Sequence, residues 1–288
     1  MASLEVLERF LSGEHASVPC PAEKDYYRLW HDQEMHKFVP TDVAMRGGLV
    51  ADRLSWVFTA GYQATLRNAF TMLPLAGWAA FVATEDERDP HTHPRTTLRD
   101  DGRGYLLNGH KSWVAHSAVV DHLIITINDP DGNKRRARGL IVERGRSGVT
   151  LSHRTDPGFL SAMSQGFAKF EDTPISRDEV FEFEPIRQFG RTEAKFVMLA
   201  SATFMLARAE ETSELQDRLF AVIGALVALL GERETSRQVY AKIDLEFQRC
   251  ADLFETTVDV SGIANYTSDR RLFRMYTDRI QRRAGYAK

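Results

Sequence analysis

Between Thr84 and Ile127 the chain reads as a hairpin followed by an apolar strand, and this run limits the possible folds more than any other stretch. Asp100, Asp101, Gly102 and Gly104 supply turn chemistry: short carboxylates bond to their own backbone, and glycine accepts positive φ. The segments Tyr105 to Trp113 (YLLNGHKSW) and Leu123 to Ile127 predict strands on either side of a short connection. The same texture continues to about Ile186 as short β-rich runs, GLIVE, GVTLSH and GFAKFED, between Gly, Pro and Asp clusters. Both flanks read differently. Leu4, Leu7 and Leu11, and later Leu54, Val57, Phe58 and Tyr62, recur at the three- and four-residue spacing of a helix. Breaks fall at Pro19, Pro21, Pro40 and Gly47-Gly48. Beyond Phe189 good helix formers fill Phe196 to Ala209, Ala221 to Leu230 and Val239 to Val260. The expectation is an α+β protein with a helical region at 1–80, a β domain at 81–188 and a helical bundle at 189–288.

Composition removes several function classes. With 37 basic and 40 acidic side chains the net charge is −3, so no nucleic-acid footprint is expected. Cys20 and Cys250 stand far apart without metal-ligand spacing, so neither a disulfide framework nor a zinc site is expected. The longest apolar run, Ala221 to Gly231, is about half of a membrane span. The N-terminus carries no targeting pattern. A soluble cytoplasmic protein without a membrane partner is the expectation.

The order Thr84-Glu85, then LNGHKSW, then an apolar strand resembles the middle domain of acyl-CoA dehydrogenases, flavoenzymes that oxidise acyl thioesters. Two further segments carry the likeness. KFEDTPISRDEVF, from Lys169 to Phe181, is similar to the family's close of its β domain. VDVSGIANYTSDRRLFRMYTDR, from Val258 to Arg279, is similar to its late Gln-x-x-Gly-Gly and Arg-Asp segments. GYQATLRNAF, from Gly61 to Phe70, resembles its Gly-x-x-x-Gln-Lys turn. The resemblance implies N-terminal helices, a β-barrel-like or orthogonal-sheet centre and a C-terminal antiparallel bundle. It also implies a shortened N-terminal region and a deletion between Ala209 and Leu219. FAD is the implied cofactor, and an acyl thioester on CoA or on a carrier protein is the implied substrate. A homo- or hetero-oligomer with a related subunit is the implied assembly.

Carried over position by position, the resemblance makes Thr84 a contact for the flavin pyrimidine edge and Trp113 an aromatic beside the isoalloxazine. Ala115 stands where the family commonly has a hydroxyl on the flavin, so only its backbone is left to donate there. Asp259 and Gly262 fall where Gln and Gly meet the ADP part of a neighbouring subunit's FAD, and an anion there repels a pyrophosphate. The usual C-terminal glutamate is missing. Glu193 is the remaining candidate base, one residue from a position used by some members, where Ala194 aligns better. A one-residue offset rotates a helical side chain by roughly 100°. The bland readings are a solvated Glu85 beside Thr84, an ordinary β aromatic at Trp113, and Glu193 as a first-turn acid favoured by the helix dipole.

Other patterns imply less. His91-x-His93 reads as a polar loop and Gly102-x-Gly104 as a turn. The Arg-rich end (Arg270, Arg271, Arg274, Arg279, Arg282, Arg283, Lys288) reads as a solvated helix face, or as a surface for a CoA phosphate or an acidic carrier. Three functions follow in order: an atypical flavoprotein oxidoreductase with Glu193 as base; a catalytically silent subunit of a hetero-oligomer; and a flavin-free binding or non-redox member.

Overall fold

The computed structural model describes residue 7 and residues 17–86, 88, 91–127, 138–211, 213–232, 234 and 236–286. Leu4 and Leu11 of the first expected helix, Lys288 of the Arg-rich end, and Glu87, Asp89 and Pro90 lie outside them.

The described residues from 17 to the first strand form three α-helices: α1 (Glu23–Asp32), α2 (Pro40–Val50) and α3 (Leu54–Ala69). Pro40 opens α2, where its missing N–H leaves no bond unmade. Strands β1 (Ala79–Val82), β4 (His122–Ile127), β5 (Arg138–Glu143) and β8 (Val180–Phe181) form one sheet in the order β1-β4-β5-β8, with β1 parallel to β4. Strands β2 (Thr97–Asp100), β3 (Tyr105–Ala115), β6 (Val149–His153) and β7 (Gln165–Ile175) form a second, antiparallel sheet in the order β2-β3-β7-β6. Inward residues of both sheets, among them Val82, Leu107, Val114, Ile125, Val142 and Phe170, share one apolar cluster. The turn at Asp100–Gly104 forms as its residues require: Asp100 accepts from the Gly102 N–H at 2.7 Å, and Asp101 from the Gly104 N–H at 2.7 Å.

Three long helices follow: α4 (Phe183–Leu206), α5 (Glu214–Gly231) and α6 (Arg237–Thr257). Two short ones, α7 (Tyr266–Asp269) and α8 (Thr277–Ala284), close the described chain. Helix α4 starts at Phe183, ahead of the boundary expected at 189, because Pro185 sits in its first turn, where proline is tolerated. Ser213 and Ser236 cap α5 and α6 by accepting from the Gln216 and Val239 N–H groups. None of the described helices is long and apolar enough to cross a membrane.

Helices α2, α3 and α4 pack with almost no side chain between them. A Cβ on Gly61 would lie 2.5 Å from Val197 Cα, and one on Gly48 would lie 2.2 Å from the Ala200 carbonyl oxygen. Gly61 therefore sits mid-helix as a close-packing residue, and the turn expected at Gly61 is not there. Helix α3 also covers the free edge of β1. Gln63 accepts from the Ala79 N–H at 3.1 Å and donates to the Ala79 carbonyl at 2.8 Å, and the Tyr62 hydroxyl accepts from the Phe81 N–H at 2.6 Å. Two side chains thus do what a neighbouring strand would do.

Candidate functional site

Strand β3 alternates around the sheet. Val114 points into the cluster between the sheets, while Trp113 and Ala115 face the helices. The Ser112 N–H donates to the Thr84 carbonyl at 2.8 Å, which sets exposed Thr84 next to half-buried Trp113. The structure therefore brings these two expected residues together.

What faces Trp113 is protein. Tyr62, 1% exposed, meets Trp113 edge-on with ring centroids 6.3 Å apart. Phe189 of α4 meets Tyr62 at 5.9 Å and Phe81 at 4.3 Å, and Phe70 meets Phe81 at 5.9 Å. Trp113 Nε1 donates to Gln165 Oε1 at 3.1 Å, and Gln165 in turn donates to the Phe159 carbonyl at 2.6 Å. Ala115 is 0% exposed. On this face the polar groups are paired with one another and the apolar ones touch rings.

Glu85 is not the solvated residue that a lone Thr-Glu pair suggests. Its carboxylate accepts from Lys111 Nζ at 2.8 Å and from the Thr96 N–H at 3.1 Å. Lys111, 0% exposed, also donates to the Thr126 carbonyl at 2.8 Å and the Ala83 carbonyl at 3.3 Å. Burial pushes the Glu85 carboxyl up, but the Lys111 ammonium and the Thr96 amide outweigh it and leave the group below the usual range. Burial pulls the Lys111 ammonium down despite its partner. The alternation Leu107, Gly109, Lys111 along β3 turns the lysine inward, and nothing in the sequence names Glu85 as its partner.

Glu193 lies near the middle of the 24-residue α4, so the first-turn dipole reading fails. Burial raises its carboxyl, while the charge of Arg279 and the Tyr276 hydroxyl pull it down. The Tyr276 phenol is pushed well above its ordinary range by burial first and by the Glu193 charge second. Tyr62 also feels that charge, and its closely packed ring belongs to the cluster that meets Trp113. The structure does not open a path from Glu193 to the Trp113 face.

Asp259 and Gly262 lie in the exposed loop after α6, past the far end of α4, roughly 25 Å of helix away from Phe189. The hydrogen bonds from Ser261 hold the Asp259 carboxyl below its usual range, so it is an anion. Asp259 borders a cavity of about 310 Å³ with Arg208, Glu210 and Glu214. Open space surrounds Gly262.

No family model matches this sequence. A stretch of 107 residues, 35% of the chain, is 27% identical to a Mycobacterium tuberculosis protein described as a probable acyl-CoA dehydrogenase, FadE10. The chain spans about a sixth of that relative, 16% of its length. A solved FAD-dependent dehydrogenase matches 99% of this chain and 98% of its own at a TM-score of 0.64 and 15% identity. The prolyl acyl carrier protein oxidase AnaB matches over 93% and 88% at 0.61 and 15%. The butyryl-CoA dehydrogenase of Megasphaera elsdenii matches over 85% and 79% at 0.58 and 14%.

The chain has the acyl-CoA dehydrogenase fold.

On this fold FAD is the expected cofactor, and the residues present decide against the family's way of holding it. The ring would need space beside Trp113 and Ala115, yet Tyr62 and Phe189 occupy that face and leave Ala115 with no exposed surface. Ala115 lacks the hydroxyl, and Asp259 offers an anion to a pyrophosphate. Only Thr84 and Trp113 keep a suitable chemistry. Sequence reasoning missed these roles of Tyr62, read only as part of a helical spacing, and of Phe189 and Gln63, which it did not single out as site residues.

Proposed function

We propose that this chain is a flavin-free member of the acyl-CoA dehydrogenase fold that binds a ligand without redox chemistry. The observation that carries this is the closed face at Trp113 and Ala115, where the chain's own rings stand in the place a flavin needs. Glu193, half-buried and with its carboxyl raised by the burial around it, serves as a polar packing residue beside Tyr276 rather than a base. An acyl thioester, on CoA or a carrier protein, is carried over as the ligand class from what its solved neighbours are named for.

A second reading has one observation in its favour. Val239 and Leu245 on α6, Met275 before α8 and Tyr286 after it are exposed apolar side chains of the last helices. They suit a silent subunit that packs against a related chain.

The visible absorption spectrum of the purified protein tests the first reading, taken before and after incubation with FAD and desalting. A colourless protein that retains no flavin is the expected outcome. A retained flavin band that bleaches on adding an acyl thioester would overturn it and restore the oxidoreductase. Co-expression with a full-length relative, read by size-exclusion chromatography, separates a silent subunit from a lone binding protein.

A further inference from the structure

Residues 92–96 form a strap that lies against β3 just ahead of β2. Three contacts hold it. The His110 N–H of β3 donates to the Pro94 carbonyl at 2.9 Å, and the Thr96 N–H donates to Glu85 at 3.1 Å. The His93 ring stacks on the His110 ring, with centroids 4.2 Å apart and planes 27° from parallel. The strap is pressed close to the strand: a Cβ on Gly109 would lie 2.5 Å from Thr96 Cα, and Gly109 takes a φ of 131° that suits glycine. The column of rings continues onto β7, where Phe167 stands 5.9 Å from His110, and Arg154 covers Phe167 at 4.8 Å. In the sequence His93 reads as part of a polar loop, yet here it is half-buried and packed on a second histidine.

The chemistry of two stacked imidazoles depends on their protons. Nδ1 of His93 and Nδ1 of His110 are both buried without a hydrogen-bond partner among the described residues. A neutral ring tolerates this, because one of its nitrogens is a bare lone pair. A protonated ring carries N–H on both nitrogens, so each proton strands a buried cationic donor. Protonating both rings also sets two like charges against each other across the stack. The surrounding charges divide. Asp86, held ionised by its bonds from Arg88 and favoured further by the charge of His93, attracts a proton to the pair. Lys169, opposite His110 on β7 and paired with Glu171 at 2.8 Å, opposes one. Burial first and the charge of His93 second hold the His110 imidazole below its usual range, against the pull of Asp86. Glu85 is itself held below the usual carboxylate range by Lys111 and Thr96, so the Thr96 N–H keeps an ionised acceptor where histidines titrate.

We propose that His93 and His110 form a proton-operated latch: with both rings neutral the strap is closed on β3, and protonation of the pair releases it. A histidine held below its ordinary value supports the closed strap above about pH 6.5, and that support is lost as the pH falls through the lowered value. Release uncovers the His110 amide on the edge of β3 and admits water to the Glu85 and Lys111 side chains, now 7% and 0% exposed. The latch operates whatever the chain binds.

Amide hydrogen exchange followed by NMR on the whole protein, corrected for the intrinsic pH dependence of exchange, tests the latch from about pH 7.5 to about pH 5. Protection at the Thr96 and His110 amides should fall about tenfold or more, while the amides of β4 in the other sheet should lose less than about twofold. His110→Phe keeps a ring in the stack and takes no proton, so its Thr96 amide should stay protected within about twofold over the same range. His91→Phe, at an exposed position beside the strap, should open as the unaltered protein does. In His93→Phe the His110 ring, read by its own proton resonances, should titrate at a higher pH than in the unaltered protein, because a like charge has gone. Constant protection at Thr96 and His110 across the range overturns the proposal, and so does an equal loss in β4, which would mean general unfolding. It is overturned as well if His110→Phe loses protection as far as the unaltered protein, or if His110 titrates no higher in His93→Phe.

Discussion

Replacing Lys111 by Met tests whether the β domain rests on one buried ion pair. Methionine nearly matches the volume of lysine, so the packing stays and the ammonium goes. Three bonds disappear together, to Glu85 at 2.8 Å, to the Thr126 carbonyl at 2.8 Å and to the Ala83 carbonyl at 3.3 Å. Glu85, whose side chain is 7% exposed, keeps only Thr96, through its N–H and its hydroxyl. Breaking a buried pair from one side costs about 3–5 kcal/mol, a third or more of the stability of a typical domain. Urea unfolding at pH 7 should therefore show a lower midpoint at unchanged slope. The loss should shrink as the pH falls toward 4, because the stranded carboxyl neutralises itself by taking a proton. Glu85→Leu/Lys111→Met should be less destabilised than the sum of its single variants by more than about 1 kcal/mol, since contacting groups couple. In the unaltered protein Glu85 titrates below its usual range, so its contribution is present above the unfolded pKa and is lost as the pH falls through the folded one. A Lys111→Met loss under about 1 kcal/mol at pH 7, or strict additivity in the double variant, would refute the reasoning.

Gly61→Ala should destabilise by about 1–3 kcal/mol, because the Cβ overlap with Val197 exceeds the roughly 1 kcal/mol gain in helix propensity. Thermal unfolding reads the sign directly, and a stabilised variant would mean that α3 and α4 separate easily. Tyr62→Phe strands the Phe81 N–H and should cost about 1–3 kcal/mol, with faster amide exchange at Phe81 as its local signature. Glu193→Gln should stabilise the protein near pH 8 and have no effect below pH 4. A buried carboxyl with a raised pKa costs stability as the pH rises through the unfolded and then the folded value, and the amide has no such cost. A variant equally stable at both pH values would show that Arg279 and Tyr276 fully compensate the burial of Glu193.

The three-part layout was legible because its signals are periodic and repeated. Leu54, Val57, Phe58 and Tyr62 mark one helix, and Asp100 to Gly104 mark one turn, by chemistry that needs no partner. Boundaries were less legible. The last helical region was expected from 189, yet its first helix opens at Phe183, with Pro185 tolerated in the first turn. Long-range pairing was not legible at all. Glu85 and Lys111 are 26 residues apart, and only the register of β3 shows that lysine points inward at the acid. The pairing within the Arg-rich end was hidden for the same reason. Asp252 and Glu255, which neutralise Arg274 and Arg270, belong to another helix.

Helix α4 runs between the closed face and a cavity of about 580 Å³ lined by Arg191, Ala194, Lys195, Tyr240 and Arg279, and the rotation of its residues places Glu193 on the side of Phe189. At 100° per residue Glu193 falls about 40° from Phe189, whereas Arg191 and Lys195 fall about 160° and 120° away. Glu193 therefore shares the side of the helix that packs toward Tyr62 and Tyr276, where burial favours its neutral form. Ala194 is the neighbour that lines the cavity. An acid at 194 would have sat among Arg191, Lys195 and Arg279 and been held ionised. The same acid one residue earlier has its carboxyl raised by burial, against the pull of Arg279 and Tyr276. The single-residue offset read from the sequence thus moves the carboxyl from the cavity side of α4 to the side of Phe189.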